Sequence, residues 1–248
     1  MTENGTTAAL ILAAGEGTRM KSGLAKVLHM VGGKTMIRRV IETVRCTDPE
    51  RIVVVVGHQA EMVKKELDGE DVEFVLQSER LGTGHAAQMA EPLLESFNGT
   101  IQVLNGDVPL LTADTLSAFT RYHHGESSRG TVLTAVIDAP QGYGRIVRDS
   151  GGEFLRIVED KDASDEEKQI REINSGIFCF EASDLFSALG RVDRRNVQGE
   201  YYITDCMEIL RRKGKHVSAY RCGQTEEVLG INDTEQLAAA ERLLKDDG

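Results

Sequence analysis

The sequence lacks the features that would assign it to several common classes of protein. It has no excess of positive charge, because 29 Lys and Arg stand against 40 Asp and Glu, which gives a formal net charge of −11. That balance argues against a protein that binds nucleic acid. It also has no apolar run long enough to span a membrane, and the first apolar run, residues 8–14, has no basic segment before it. We therefore predict neither a membrane anchor nor a signal peptide.

Cysteine is scarce and has no spacing typical of a metal site. The four cysteines, at positions 46, 179, 206 and 222, include no C-x-x-C pair. This pattern predicts reduced thiols in a cytoplasmic protein and indicates neither disulfides nor a zinc site.

Strand-like and helix-like patterns alternate through the first half of the 248 residues. The predicted strands are residues 8–13, 52–56, 73–76, 101–104 and 131–137. The predicted helices are residues 36–44, 60–67, 84–97 and 112–122. Such alternation is typical of an α/β protein with an open, doubly wound, mainly parallel sheet. Ligands of these sheets bind beyond the carboxyl ends of the strands.

From about residue 138 the pattern changes to short strands. We predict strands at 142–148 and 153–158 around a Ser-Gly-Gly turn, and a further strand at 172–180. Ser164 and Glu167 have the spacing of a capping box that opens a short charged helix. The second half is therefore interpreted as a smaller lobe, residues 138–232, folded over the sheet edge. A capped helix is predicted over 233–248.

The most informative motif is LAAGEGTRM at residues 12–20, with Lys26 shortly after it. Its small residues are Ala13, Ala14, Gly15 and Gly17. Small residues let backbone N–H groups approach a ligand, and consecutive N–H groups form an anion-binding concavity. Arg19 and Lys26 add positive charge, so the motif favours a polyphosphate site over an ordinary strand-to-helix turn. Met20 stands where a dinucleotide fingerprint needs its third glycine, so that motif does not fit.

Asp107 follows the predicted strand 101–104 and precedes Pro109. A carboxylate at a strand end beside a phosphate loop is suited to Mg²⁺, which prefers oxygen ligands and often binds one or two carboxylates plus substrate phosphates. An Asx-turn leading to Pro109 explains the same residue equally well. Both interpretations stay open at this point.

Gln77 follows the strand 73–76, and Gly82 and Thr83 come shortly after it. A carboxamide offers a donor and an acceptor, which matches the adjacent N–H and C=O of uracil or thymine. Gly82 allows close approach of the backbone to a base. Thr83 is alternatively a helix N-cap, and the two roles can coexist.

A set of motifs in this order closely resembles the uridylyltransferase domain of the bacterial N-acetylglucosamine-1-phosphate uridylyltransferases. The motifs are LAAGEGTRM at 12–20, KVLH at 26–29, Gln77, LGTGHA at 81–86, GDVPL at 106–110, GYGR at 142–145, IVEDKDA at 157–163, EINSG at 172–176 and QGEYYITD at 198–205. The resemblance extends from about residue 8 to residue 235. It implies a Rossmann-like nucleotide-diphospho-sugar transferase fold, with a nucleotide-binding half at 8–137 and a sugar-binding lobe at 138–232, both within a domain of residues 1–232.

The resemblance also implies a reaction and a set of site residues. UTP and N-acetylglucosamine 1-phosphate would give UDP-N-acetylglucosamine and pyrophosphate, with Mg²⁺ as cofactor. The implied nucleotide-binding residues are Leu12, Ala13, Ala14, Gly15, Gln77, Gly82 and Thr83. The implied sugar-binding residues are Gly144, Glu159 and Asn174. The implied metal ligands are Asp107 and Asn232, and the implied catalytic cations are Arg19 and Lys26.

The sequence departs from the resembled enzymes at several points. Ala25 stands where proline is common and predicts a looser loop around Lys26, and Asn105 stands where an aromatic residue is frequent and predicts altered base or ribose contacts. Bifunctional members continue into a β-helix of hexapeptide repeats, so neither acetyltransferase activity nor a trimer is expected of this chain. Two other functions fit the motifs: transfer with another sugar 1-phosphate or nucleotide, and nucleotide-sugar binding without catalysis. The second is disfavoured because all four implied catalytic and metal-binding residues are present.

Overall fold

Buried apolar strands form the centre of the protein. The computed structural model describes residues 5–246. Its strands are β1 Thr7–Ala13, β2 Met30–Val31, β3 Lys34–Thr35, β4 Arg51–Val56, β5 Glu73–Leu76, β6 Thr100–Asn105, β7 Gly130–Val136, β8 Arg145–Arg148, β9 Phe154–Val158, β10 Glu172–Glu181 and β11 Val217–Arg221. Its α-helices are α1 Met36–Arg45, α2 Ala60–Glu66, α3 Thr83–Met89, α4 Glu91–Leu94, α5 Ala113–Gly125, α6 Ala182–Leu189, α7 Asp205–Arg212 and α8 Thr234–Asp246.

Within the described residues, nine strands share one sheet, ordered β11-β7-β10-β6-β1-β4-β5, with β8 and β9 attached beside β10. Neighbours in the seven-strand order are parallel except at β10, which runs antiparallel to both β6 and β7, and the attached strands β8 and β9 are antiparallel to each other. The predicted mainly parallel sheet is confirmed. The carboxyl ends of β1, β4, β5 and β6 meet at one edge, where a ligand of such a sheet is expected.

Helices cover both faces of the sheet, as a doubly wound fold requires. The side chains of α1, α2 and α5 pack on one face and those of α3, α4, α6 and α7 on the other. Strand β4 alternates between the two clusters, and residues 53–56 are all 0% exposed. Each such valine stabilises the fold by about 1.5–3 kcal/mol. This two-sided burial explains why β4 carries no polar residue after Arg51.

The predicted helix 84–97 is two helices in the structure. α3 ends at Met89, and α4 begins at Glu91 with Pro92 in its first turn. Proline has no backbone N–H to continue the hydrogen bonding of α3, so the chain restarts a helix instead.

The second half of the chain is interwoven with the first. β8 and β9 form the predicted pair of strands around the Ser-Gly-Gly turn, whereas β10 and β11, which also fall within the predicted lobe 138–232, belong to the main sheet. The capping box forms, because the Glu167 N–H donates to Ser164 Oγ at 3.2 Å and the Ser164 N–H donates to Glu167 Oε2 at 2.9 Å. It opens only a 3-10 turn, Glu167–Gln169, and the predicted short helix is wrong in that respect.

The C-terminal helix is present as α8. Asp233 Oδ1 accepts hydrogen bonds from the N–H groups of Glu235 at 3.0 Å and Gln236 at 2.8 Å, which is the predicted cap. α8 packs near the hairpin β2–β3, where the Gly32 N–H donates to Glu241 Oε1 at 2.8 Å. Residues 1–4 and 247–248 of the predicted boundaries lie outside the described residues. Among the described residues, no helix has the length and apolar character needed to cross a membrane.

Candidate active site

The loop after β1 begins at the middle of the carboxyl edge, because β1 lies between β4 and β6. Ala14 and Gly15 follow the strand and line a cavity. The end of β4 makes room for them, since a Cβ at Gly57 would lie 2.8 Å from the Cβ and the carbonyl oxygen of Ala14. The small residues Ala14 and Gly57 thus allow the loop after β1 to lie close to the end of β4.

Gly17 governs the path of Lys26. It is left-handed (φ 68°), and a Cβ added there would overlap the Cβ of Lys26 and lie 3.0 Å from its Cγ. The stem of Lys26 therefore crosses directly over Gly17 and carries its ammonium group toward the end of β6.

For the transferase reaction that the sequence resemblance implies, replacing Gly17 by alanine is expected to lower pyrophosphate release at least tenfold, because the new methyl group displaces Lys26. Gly33 is the matched control: it has φ 78°, and a Cβ there meets nothing within 4 Å. Both alanine variants incur a left-handed strain of about 1 kcal/mol, which urea unfolding measures. Equal activities in the two variants would contradict a role for Gly17 in placing Lys26.

The two implied catalytic cations and the two implied metal ligands form one cluster. Lys26 Nζ makes an ion pair with Asp107 Oδ2 and donates to Asn232 Oδ1 at 2.8 Å. Arg19 Nη2 donates to the same Asn232 oxygen at 2.8 Å. The Ile231 N–H donates to the Asp107 carbonyl oxygen at 2.9 Å and so fixes the segment before α8 against the end of β6.

The donor set of this cluster suits a divalent cation such as Mg²⁺. Asp107 Oδ1 is buried and has no hydrogen-bond partner in the described part of the chain. The Asx-turn interpretation of Asp107 is wrong, because its carboxylate pairs with Lys26 and accepts no described backbone N–H. No group of three or more His, Cys, Asp or Glu side chains among the described residues could hold a metal. One carboxylate and one carboxamide, completed by phosphates and water, match how Mg²⁺ is usually bound.

A cavity of about 390 Å³ opens beside this cluster. All seven implied nucleotide-binding residues line it: Leu12, Ala13, Ala14, Gly15, Gln77, Gly82 and Thr83. Lys26 and Asp107 line it as well, so it leads directly to the charged cluster. Arg80 and Glu200 also line it and were not predicted as site residues.

Gln77 presents only one hydrogen-bonding atom to this cavity. Its side chain is 4% exposed, and its Nε2 donates to the Gly82 carbonyl oxygen at 3.1 Å and lies 3.0 Å from His85 Nδ1. Both hydrogens of the Gln77 amide are therefore directed at protein acceptors, the Gly82 carbonyl oxygen and His85 Nδ1. The expectation that Gln77 offers a donor as well as an acceptor is wrong, and Oε1 remains for a ligand. An acceptor there suits a base with a ring N–H, such as uracil.

Residues 82–84, at the start of α3, are held in place by the segment that contains the QGEYYITD motif. The Gly84 N–H donates to the Tyr201 carbonyl oxygen at 2.7 Å, and a Cβ on Gly82 (φ 108°) would lie 2.5 Å from the same oxygen. The Ile203 N–H donates to Thr83 Oγ1 at 3.1 Å. Helix α3 has its N-cap at Gly82 without a side-chain cap, so the N-cap interpretation of Thr83 is wrong. The Thr83 hydroxyl proton stays available to the cavity.

A second cavity of about 200 Å³ contains the implied sugar-binding residues Gly144, Glu159 and Asn174. The bulge of β10 between Asn174 and Phe178 aims this segment at the site. The Asn174 N–H donates to the Gly144 carbonyl oxygen at 2.8 Å, and Asn174 Oδ1 accepts from the Gly176 N–H at 2.8 Å. The segment before β8 is therefore joined to β10 of the main sheet at the second cavity.

The two cavities meet at the charged cluster. Thr83, Asn105 and Asp107 line both of them, and Arg19 and Asn232 line the second. All fourteen implied site residues thus lie around one continuous cleft. Asn105 lies at the junction, consistent with the prediction that it affects ligand contacts, which stays a prediction.

The loop that carries Lys26 is well fixed, so the looser loop expected from Ala25 is wrong. The Ala25 N–H donates to Gln59 Oε1 at 2.7 Å, and its carbonyl oxygen accepts from the Leu28 N–H at 2.9 Å. Ala25 itself is 0% exposed.

Two acidic groups in and next to the second cavity have raised pKa values: Glu159 lines the cavity, and Asp205 follows Thr204, which also lines it. Burial raises the pKa of the Glu159 carboxyl, whose Oε1 accepts a hydrogen bond from Thr204 Oγ1 at 2.9 Å. Burial, followed by the negative charge of Glu159, raises the pKa of Asp205 to about 6. Asp205 lines neither cavity and so serves as a probe of this acidic region.

Replacing Asp205 by asparagine is expected to stabilise the protein at pH 7.5 by roughly 1 kcal/mol, after allowance for solvent screening of a half-buried group. Above pH 6 the folded state holds an ionised carboxylate that the unfolded chain accommodates more easily, so Asp205 lowers the free energy of unfolding. Below pH 3.8, the ordinary value, it is protonated in both states and the gain disappears. Urea unfolding measures the stabilisation at pH 7.5 and its disappearance at pH 3.5. Substitution of the exposed Asp68 by asparagine is the control. A lower stability at pH 7.5 would contradict the raised pKa.

Residues 9–173 match the family of MobA-like NTP transferase domains. The chain is 51% identical over 236 residues to the bifunctional protein GlmU of Enterococcus faecalis, which covers 95% of this chain and 51% of the relative. It is 53% identical over 237 residues to GlmU of Brevibacillus brevis, with coverages of 96% and 51%. The chain thus spans about half the length of the curated relatives it matches.

A solved structure described as UDP-glucose pyrophosphorylase complexed with UDP-glucose superposes with a TM-score of 0.78. The superposition covers 98% of this chain and 100% of that one, at 19% sequence identity. This similarity shows a shared fold.

Proposed function

Since the chain belongs to the family of MobA-like NTP transferase domains, we propose that it transfers UMP from UTP to N-acetylglucosamine 1-phosphate, giving UDP-N-acetylglucosamine and pyrophosphate. The observation that carries the proposal is the continuous cleft in which Asp107 lines both cavities and faces Lys26. The larger cavity would take the nucleotide and the smaller one the sugar, so the two phosphates would meet at the charged cluster.

The chemistry of this transfer matches the residues in the cleft. The attacking atom is an oxygen of the sugar phosphate, which is already anionic at neutral pH, so no general base is required. The main barrier is the approach of two anions, which repel by about 4 kcal/mol per pair of charges at 4 Å in a partly screened site. Lys26 and Arg19 would offset this repulsion and hold the reacting groups in line.

Asp107 and Asn232 would hold the Mg²⁺ ion that we propose as cofactor. When bound, such an ion neutralises phosphate charge and stabilises the leaving pyrophosphate. Gln77 Oε1 would accept the ring N–H of uracil, and the backbone of Gly82 would pack against the base. Glu159 and Asn174 would form hydrogen bonds with the sugar, as acceptors and as donors.

The cellular setting is part of the proposal. The four cysteines of the chain are all free thiols, which supports a cytoplasmic protein. The net charge of −11 supports small-molecule substrates over nucleic acid.

Pyrophosphate release from UTP tests the proposal, measured with and without N-acetylglucosamine 1-phosphate, first in Mg²⁺ and then in excess EDTA. The proposal requires release that depends on both the sugar phosphate and the metal. Binding of UDP-N-acetylglucosamine without release would instead identify a non-catalytic nucleotide-sugar-binding protein. Reverse reactions with a panel of nucleotide sugars would reveal a different sugar or base preference.

A further inference from the structure

Gln59 adopts a backbone conformation that its residue type disfavours. It lies just before α2 with φ 52° and ψ 39°, in the left-handed region that favours glycine. A side chain held in such a conformation costs free energy and persists where its surroundings determine it. The contacts of the Gln59 side chain therefore account for its backbone conformation.

Both ends of the Gln59 carboxamide bind the loop before Lys26. Oε1 accepts the Ala25 N–H at 2.7 Å, and Nε2 donates to the Gly23 carbonyl oxygen at 2.6 Å. Ala25 is the residue immediately before Lys26 and is completely buried. The amide of Gln59 thus clamps the backbone at the point where Lys26 leaves it.

Lys26 is confined from the other side by Gly17, whose missing side chain leaves room for the lysine stem. Its ammonium group then reaches Asp107 and Asn232. A shift of the backbone at Ala25 would move that ammonium group, because Ala25 directly precedes Lys26. The hydrogen bonds from the Leu24 N–H to Ser22 Oγ at 3.2 Å and from the Leu28 N–H to the Ala25 carbonyl oxygen at 2.9 Å stay within this segment, whereas Gln59 ties it to the start of α2. Misplacement of a catalytic group by about 1 Å can cost up to about a hundredfold in rate.

We propose that Gln59 is a positioning residue, whose carboxamide clamps the loop of residues 23–25 and so directs Lys26 at the reacting phosphates. The inference rests on the proposed function. Gln59 itself lines neither cavity of the cleft. Its strained backbone is the cost of placing the carboxamide under the loop.

Two substitutions separate this role from a merely structural one. Gln59→Gly removes the clamp and also relieves the left-handed strain, so the thermal stability is expected to stay unchanged or rise while kcat falls about tenfold. Ala25→Pro fits the local backbone, since Ala25 has φ −55°, but it removes the N–H that Gln59 binds. With Gln59 present, the proline is therefore expected to lower kcat.

The double variant Gln59→Gly with Ala25→Pro gives the sharpest result. Without the carboxamide, the fixed φ of proline stiffens the loop, so kcat is expected to recover to within about threefold of the wild type. The same proline thus lowers kcat in one background and raises it in the other. Ser127→Gly is the matched control, because it relieves a similar strain (φ 51°) at an exposed position and leaves kcat unchanged.

The measurements are kcat and the KM values for UTP and the sugar phosphate, thermal unfolding, and hydrogen exchange of residues 21–28. Faster exchange in Gln59→Gly together with a lower kcat supports the clamp. An unchanged kcat in Gln59→Gly, or the same effect of proline in both backgrounds, would overturn it. An inactive wild-type protein would instead overturn the proposed function, which distinguishes the two failures.

Discussion

Asparagine in place of Asp107 is expected to lower pyrophosphate release by about a thousandfold and to make the residual activity insensitive to EDTA. The carboxylate lines both cavities, and its Oδ1 is buried without a partner among the described residues. A cation is the natural partner of such an oxygen. Loss of the charge therefore removes both the cation's main ligand and the partner of Lys26.

The asparagine variant separates charge from shape, because the two side chains have nearly the same size. Lys26 keeps its hydrogen bond to Asn232 at 2.8 Å, so the loop is expected to stay in place and thermal unfolding to change little. Binding of Mn²⁺, followed by electron paramagnetic resonance, should be lost together with activity.

Asp68→Asn is the control for this experiment. Asp68 is exposed in the turn after α2, and its side chain takes part in no hydrogen bond among the described residues. Its replacement by asparagine removes the same charge. It is expected to leave activity and Mn²⁺ binding unchanged. Activity of Asp107→Asn within threefold of the wild type would exclude Asp107 from the metal-dependent step.

The central sheet could be predicted because its signals are local. The run of valines at 53–56 has no polar residue, and full burial on both faces is its simplest explanation. α6 and α7 were missed although their apolar residues recur at helical spacing, as at Cys206, Met207 and Leu210. The edge strand β11 is short and only partly buried, so its pattern is weak.

The site could be predicted from its motifs, but the hydrogen bonds that refine it could not. The amide nitrogen of Gln77 donates to Gly82 and His85 and so does not donate to a ligand. These hydrogen bonds depend on how the chain after Gln77 folds back against the end of β5. Gln59 and Ala25 are 34 residues apart and carry no recognisable motif. Such contacts depend on the relative placement of two loops, and a single sequence does not encode that placement in any local pattern.

Methionine in place of Lys26 is expected to have two opposite effects. Turnover should fall by at least about a hundredfold, because the ammonium group no longer offsets the charge of the reacting phosphates. Metal binding to the free protein should become about tenfold tighter. In the structure the ammonium group pairs with Asp107 Oδ2 and donates to Asn232 Oδ1, the same side chains that would ligate the metal.

Competition for these oxygens is the reason for the second effect. A metal ion held by Asp107 and Asn232 would use the oxygens that the ammonium group contacts in the structure, which would leave Lys26 free to meet a phosphate. Methionine keeps the apolar stem that crosses Gly17 and removes only the charge. Lys21→Met is the matched control, because it removes one exposed positive charge from the same loop. Its effect on metal binding should be small and should vanish at high salt.

Titration of the free protein with Mn²⁺ measures this competition without turnover. Tighter binding in Lys26→Met than in both the wild type and Lys21→Met would show that the ammonium group occupies the metal site before the metal does. Equal or weaker binding would mean that Lys26 helps to assemble the ligands, as a fixed part of the metal site. Either result shows whether metal binding changes the position of Lys26. If the metal displaces Lys26, metal binding also sets the positive charge that the triphosphate meets.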